Sequence, residues 1–261
     1  MEKNKLNLSV VLATYNEEMN IGRCLESVKG LADEIVAVDG TSNDATADIL
    51  RQYGAKVLIR KNQANFHVNK QLAIDSAGGN WILQLDADER LSEALKEEIK
   101  LAISSKQAFD GYWIPRRNYF LGRFLKKGGQ YPDYTLRLYR RGKGRLPAKS
   151  VHEQAEVTGQ TGRLKNDLLH YSYPDFSHYL EHFNLYTDIL ASELAEQKLP
   201  LNLLSAINYL IIKPKWWFIK TYFRHKGFRD GMPGFAFSLF SSLRFTAAYI
   251  KYWEKKNRAE A

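Results

Sequence analysis

The chain has 261 residues, 44% hydrophobic and 26% charged with no low-complexity tract, which excludes a disordered polymer and allows one sizeable α/β domain plus a smaller appendage. Thirty-eight Lys and Arg against twenty-nine Asp and Glu give a formal charge of +9, which excludes an acidic solvating chain and favours anionic partners such as nucleic acid, anionic lipid or phosphorylated substrates. The single cysteine, Cys24, excludes an intrachain disulfide and is expected to be a buried thiol in a reducing compartment.

Leu8 to Ala13 is a continuous aliphatic and β-branched run, the pattern of a parallel strand buried on both faces. The polar N-terminus runs straight into it, so no signal peptide is expected. Asn20 to Val28 sets Ile21, Cys24, Leu25 and Val28 on one helical face, and Glu34 to Val38 reads as the second strand, ending at Asp39-Gly40. Asn43 or Asp44 is expected to cap a helix that stops at Gly54, followed by a strand from Lys56 to Ile59. Val68 to Ala77 reads as helix, Gly78-Gly79 breaks it, and the strand Trp81 to Leu85 delivers Asp86-Ala87-Asp88-Glu89 at its carboxyl end. The β-α alternation predicts an α/β fold, a mostly parallel sheet with helices on both faces. A helix to about Ser104 and strands at Gly111 to Arg116 and Thr135 to Tyr139 follow, and from about Pro174 the chain turns helical and aromatic. We therefore expect a catalytic domain over 1–173 and a helical extension over 174–261.

Ligands of open α/β sheets lie beyond the carboxyl ends of the strands. Thr14-Tyr15-Asn16-Glu17, Asp39 and Asp86-Ala87-Asp88 all fall at such ends. Two carboxylates spaced i and i+2 past a strand suit a hard divalent cation, Mg²⁺ or Mn²⁺, which can bridge a diphosphate.

The segments Val10 to Glu17, Val36 to Thr46 and Trp81 to Glu89 together resemble the family 2 glycosyltransferases, in that family's order and spacing. The resemblance implies a GT-A type, Rossmann-like fold and transfer of a sugar, a hexosyl group being expected, from a UDP-, GDP- or ADP-linked donor to an acceptor hydroxyl with inversion. Thr14, Tyr15, Glu17 and Asp39 are then expected at the nucleotide, Asp88 on the metal, and Asp86 nearer the ribose or a metal-bound water. Lys70 matches a position where the family places a basic residue facing the nucleotide. Further segments, Arg117 to Gly122, Tyr134 to Arg140 and Val151 to Glu153, resemble bacterial family members that build the lipopolysaccharide core.

Inverting transfer needs a carboxylate to take the acceptor proton. Glu153 is the first candidate, being downstream of the metal motif where the family's acceptor side begins, and Asp133 is the reserve. His152 is a candidate metal ligand or phosphate contact. Arg137, on a strand whose Leu136 and Leu138 face the core, is the arginine expected to reach the diphosphate.

Lys213-Pro214-Lys215-Trp216-Trp217-Phe218 and the residues to Arg229 mix bulky aromatics with cations, as in a chain lying on an anionic membrane. The longest apolar runs, Leu203 to Ile212 and Gly234 to Ile250, fall short of the roughly 20 residues of a spanning helix. A lipid-linked or glycan acceptor at the cytoplasmic face of the inner membrane is therefore expected, and nucleic acid is not. The alternatives are a sugar-phosphate nucleotidyltransferase, whose Gly-rich basic first loop is missing here, and a non-catalytic module binding anionic ligands or membranes, which leaves the acidic strand ends unexplained.

Overall fold

A computed structural model of the chain describes residues 7–63, 65–147 and 154–260. His152 and Glu153 lie outside the described residues. The chain divides into two compact units, the first comprising 1–116 with 133–170 and the second 117–132 with 171–261. The excursion 117–132, which the sequence reading keeps with the catalytic domain, thus groups with the C-terminal helices.

In the first unit β1 (Leu8–Thr14), β2 (Glu34–Asp39), β3 (Lys56–Ile59) and β4 (Trp81–Gln84) form the parallel half of a sheet in the order β3-β2-β1-β4. The aliphatic run of β1 is buried along nearly its whole length because helices cover both faces. Helix α1 (Glu18–Val28) brings in Ile21, Cys24, Leu25 and Val28, all fully buried against Leu8, Val10 and Leu12. Helices α2 (Thr46–Gln52) and α3 (His67–Asp75) complete the β-α alternation. At the break after α3, Gly79 is required by space: a Cβ there would sit 2.6 Å from Ser9 Oγ and 2.8 Å from the Asn7 carbonyl. Its N–H donates instead to Ser9 Oγ at 2.8 Å.

Beyond β4 the sheet changes character. The three-residue strand β5 (Glu89–Leu91) stands between the acidic motif and α4 (Glu93–Ser104), which is capped by Ser92 Oγ accepting from the Leu95 N–H at 3.2 Å. Strands β6 (Gly111–Phe120) and β8 (Asp133–Arg140) are joined by β7 (Arg123–Phe124). Strand β8 lies antiparallel to β4, with Trp81 opposite Arg140 and Leu83 opposite Leu138. Short strands β9 (Gly144–Arg145), β10 (Glu156–Val157), β11 (Thr161–Arg163) and β12 (Leu168–His170) complete the unit, β12 pairing antiparallel with β5. The result is the expected mostly parallel α/β sheet, with an antiparallel extension that the sequence shows only in part.

The second unit starts from the outer end of β6, where Tyr119 and Phe120 pair with Phe124 and Arg123 across a tight turn. Leu121 and Gly122 both have positive φ, 46° and 85°, the conformation a two-residue hairpin needs. Its helices are α5 (Phe176–Glu196), α6 (Leu203–Ile207), α7 (Lys213–Phe218) and α8 (Gly231–Glu260), with π-helical turns at Asn208–Ile212 and Ile219–Arg224 that make 203–224 one continuous helix. Pro214 has no N–H to give, and its ring would clash with the carbonyl one turn back, so the chain widens just before it. Among the described residues no helix is long and apolar enough to cross a membrane.

Asp230, 2% exposed, ties this unit together: its Oδ2 accepts the backbone N–H of Lys126 at 2.9 Å and of Lys127 at 2.7 Å. Asp230→Ala takes the acceptor from both part-buried amides and is expected to lower the unfolding free energy by about 2 kcal/mol in urea titration. A loss under about 0.5 kcal/mol, the scale of a neutral surface change, would show that the amides find other partners.

Candidate active site

The site begins with three strand ends brought side by side. In the register of β1 and β2, Thr14 stands opposite Asp39, and β4 flanks β1 on the other edge. Leu85 continues the ladder with its N–H on the Val11 carbonyl at 3.0 Å, so Asp86 emerges beside the same crevice. Asp39 is 1% exposed and strongly fixed: Thr14 Oγ1 donates to it at 3.2 Å, Ser42 Oγ at 2.6 Å and the Ser42 N–H at 2.9 Å. Gly40 follows because a Cβ would come within 3.2 Å of the Thr14 carbonyl and of Asn62 Cβ.

The loops after β1 and β2 are laced to each other. Asn16, at φ 54°, accepts the Asn43 N–H on its Oδ1 at 3.0 Å and gives its own N–H to Ser42 Oγ at 2.9 Å. The Glu17 N–H donates to Thr46 Oγ1 at 2.7 Å. This bracing leaves Tyr15 pointing outward, 46% exposed, next to the buried Thr14.

Four cationic or imidazole side chains meet the acidic cluster. Lys70, from α3, ion-pairs with Asp86 Oδ1, and Arg137, from β8, reaches Asp86 Oδ2 at 2.5 Å and Glu89 Oε1 at 2.7 Å. The antiparallel register explains the reach of Arg137: with Leu83 opposite Leu138, the next residue of β8 lies beside the carboxyl end of β4. Glu89 is fully buried, and its Oε2 accepts the Asp86 N–H at 3.0 Å. Arg116 donates to Asp133 Oδ2 from Nε at 3.0 Å and from a terminal nitrogen at 2.7 Å, and lies 3.5 Å from Glu89. His170 Nε2 stands 3.2 Å from Asp88 Oδ2.

The charges set the protonation states. Burial works to raise the Asp86 carboxyl, but Arg137 and Lys70 together hold it well below the usual carboxylate range. Burial likewise opposes ionisation of Asp88, and His170 overcomes it, drawing that carboxyl down. Glu17 goes the other way. Burial pushes it up to about 7, a hydrogen bond from Asn20 opposes the rise, and the nearby Asp88, Asp86 and Asp44 carboxylates add to it.

Thr14, Glu17, Asp39, Lys70, Asp86, Asp88 and Arg137 are therefore brought to one crevice, as the sequence suggests. Two of them have unexpected companions. Lys70 and Arg137, read from sequence as nucleotide and diphosphate contacts, both neutralise Asp86, and Asp133, the reserve base, is held by Arg116. Glu89, Arg116 and His170 join the cluster beyond the residues that the sequence points to. Glu89 stands inside the quoted acidic motif, while Arg116 and His170 arrive from distant strands without a local signal.

Among the described residues, no three of His, Cys, Asp and Glu form a ready-made metal cage. The Asp88 and His170 pair nevertheless suits a divalent cation. Neighbouring ligands of an octahedral ion at about 2.1 Å lie about 3 Å apart, close to the 3.2 Å between Asp88 Oδ2 and His170 Nε2.

A carboxyl whose native pKa lies above its unfolded value keeps a proton that the unfolded chain has lost, so its stabilising effect fades as pH rises between the two values. For Glu17 that interval runs from 4.5 to about 7. Glu17→Gln, unfolded in urea without metal, is expected to lose less stability than the wild type between about pH 5 and about pH 8. Equal losses would place the Glu17 carboxyl in water.

Comparison with known proteins matches the glycosyl transferase family 2 profile to residues 9–155, which spans all three strand ends. The chain is 32% identical over 238 residues to the lipopolysaccharide core biosynthesis glycosyltransferase LpsC of Rhizobium meliloti, covering 88% of this chain and 86% of that protein. It is 28% identical over 188 residues to a dodecaprenyl-phosphate galacturonate synthase of Rhizobium johnstonii, covering 61% of this chain and 53% of the other. In fold it is similar to a mannosyltransferase of Pyrobaculum calidifontis solved with GDP-Man and Mn²⁺, with a TM-score of 0.56, 14% identity and coverage of 96% and 88%. The crevice at the ends of β1, β2 and β4 lies within the matched residues, and the chain belongs to glycosyl transferase family 2, as a glycosyltransferase.

Proposed function

We propose that the protein transfers a hexosyl group from a UDP-, GDP- or ADP-sugar, with inversion, to a hydroxyl of a lipid-linked acceptor in lipopolysaccharide core assembly. The observation that carries this reading is the convergence of Asp39, Asp86 and Asp88 at the carboxyl ends of β2 and β4, the two strands that flank β1. The kinship with a protein named for lipopolysaccharide core biosynthesis supports the pathway.

In this reading Asp39, fixed by Thr14 and Ser42, accepts hydrogen bonds from the nucleoside, and the exposed ring of Tyr15 lies along it. Asp88 and His170 would hold Mg²⁺ or Mn²⁺, with Asp86 behind them and His152 a further candidate ligand. The bound cation would neutralise charge on the departing diphosphate. Lys70 and Arg137 keep Asp86 ionised and oriented, so the acidic pair is set before any ligand arrives. Glu153, with Asp133 in reserve, takes the proton of the acceptor hydroxyl as its oxygen attacks the anomeric carbon in line with the departing diphosphate. The bond to the diphosphate breaks as the new glycosidic bond forms, and no covalent sugar–enzyme adduct is needed. The basic, aromatic C-terminal segment supports an acceptor presented at an anionic membrane surface, at the cytoplasmic face of the inner membrane.

Calorimetric titration with UDP, GDP and ADP, each with and without Mn²⁺, tests the donor site: one nucleotide is expected to bind only with the metal. Failure of all three under both conditions would overturn the reading. Asp88→Ala and His170→Ala are each expected to weaken Mn²⁺ binding by at least about tenfold. Glu153→Gln should keep nucleotide affinity and lower transfer by about 10²–10⁴-fold, and near-normal turnover would hand the base role to Asp133.

A further inference from the structure

Helix 203–224 in the second unit has an inverted outer face. Surface helices ordinarily turn polar side chains to water. Among the described residues, the exposed positions of 203–224 are Leu, Ile, Trp or Phe, with Lys215 and Arg224 the exceptions. Leu204 is 78% exposed, Ile211 and Trp216 each 58%, and Phe223 56%. The opposite face is already satisfied within the unit. Tyr209 stacks on Tyr249 of α8 at 5.6 Å, and Trp217 Nε1 donates to Ser241 Oγ at 3.2 Å. The outer stripe is therefore not a face that α8 could cover.

Charge identifies what covers it. From 199 to 229 the sequence has six Lys or Arg and no Asp or Glu. Lys213 lies over the Tyr209 ring at 3.6 Å and Lys220 over Trp217 at 5.0 Å, so these cations flank the stripe on aromatic supports. A second copy docking the same face would bring like charges together, whereas an anionic lipid surface accepts both the cations and the apolar side chains. At the N-terminal end of the stripe a largely apolar cavity of about 360 Å³ opens between α6 and α8, with Leu203, Leu210, Ile250 and Trp253 in its wall and Asn202 and Tyr249 its polar members. Nothing in that wall would hold a charged group, and a hydrocarbon chain suits it.

We infer that the outer face of helix 203–224 seats the protein on an anionic bilayer, lying in the interface without crossing it, and that the cavity beside Trp253 receives part of one acyl chain. The inference rests on the reading of a lipid-borne acceptor and gives that reading a specific surface: the helix would hold the enzyme at the plane where the acceptor's sugar meets water.

The test uses the full chain and vesicles of phosphatidylcholine with and without phosphatidylglycerol. Sedimentation is expected to show binding more than about tenfold tighter with the anionic lipid, declining with salt. Ile211→Glu combined with Ile219→Glu, both at exposed positions, is expected to abolish vesicle binding while leaving the thermal midpoint and metal-dependent nucleotide binding unchanged. Lipids brominated on their acyl chains are expected to quench fluorescence, and Trp216→Phe and Trp253→Phe should each remove part of that quenching. No preference for anionic vesicles, or binding indifferent to the double substitution, overturns the inference, as does quenching unchanged in both Trp variants. A dimer that the double substitution dissolves, without vesicle binding, also overturns it, in favour of a second copy. Because nucleotide binding is measured separately in solution, failure here leaves the transferase reading standing, and failure there leaves the membrane surface standing.

Discussion

The site depends on one guanidinium, that of Arg137, shared by the buried carboxylate of Glu89 and the part-buried one of Asp86. Glu89 is fully buried, and Arg137 is 9% exposed. Taking such groups from water costs several kcal/mol per ion, and only close pairing with further hydrogen bonds recovers it. Arg137 reaches both carboxylates, Lys70 takes the other oxygen of Asp86, and the Asp86 N–H satisfies Glu89. Together these groups hold the turn after β4 in one shape, and that shape aims Asp88 toward His170. The acidic motif therefore owes its geometry to cations on other strands, and its precision is inherited from the packing of β4 against β8.

That inheritance makes register matter. Leu138 packs with Leu83 and Tyr112 in one core cluster, and Leu136 with Ile82 and Tyr139 in the other. Between them the pairing of β8 with β6 is irregular: Tyr112 stands opposite Leu138 and Trp113 opposite Leu136, which leaves Arg137 as the extra residue of a bulge, and bulges re-aim side chains next to active sites. Hydrophobic packing and site electrostatics thus meet at one irregularity in the strand.

Much of the first unit was legible because its signals are local. Parallel strands buried on both faces read as aliphatic runs, α1 shows its face through Ile21, Cys24, Leu25 and Val28, and Gly79 marks a place without room for a Cβ. Strands β5 and β9 to β12, two or three residues long, have too little sequence to show a period, and they carry or frame Glu89 and His170. The pairing of His170 with Asp88 joins residues far apart in the chain and has no motif to announce it. In the second unit the mixture of aromatics and cations was plain, but its polarity was not. Which residues face α8 depends on π-helical turns around Pro214, and an α-helical period does not foretell them.

The chain leaves or re-enters the first unit at three points, after Arg116, before Asp133 and after His170. Arg116 and Asp133 are bonded to each other across paired strands, and His170 stands opposite Glu89 in its own ladder. Each tether of the second unit is thus anchored in a residue of the charge cluster. The excursion 117–132 takes the last four residues of β6 with it, and the bond between Arg116 and Asp133 closes its base. The charge cluster is therefore also a clasp, pinning all three points at which the chain leaves or re-enters the first unit.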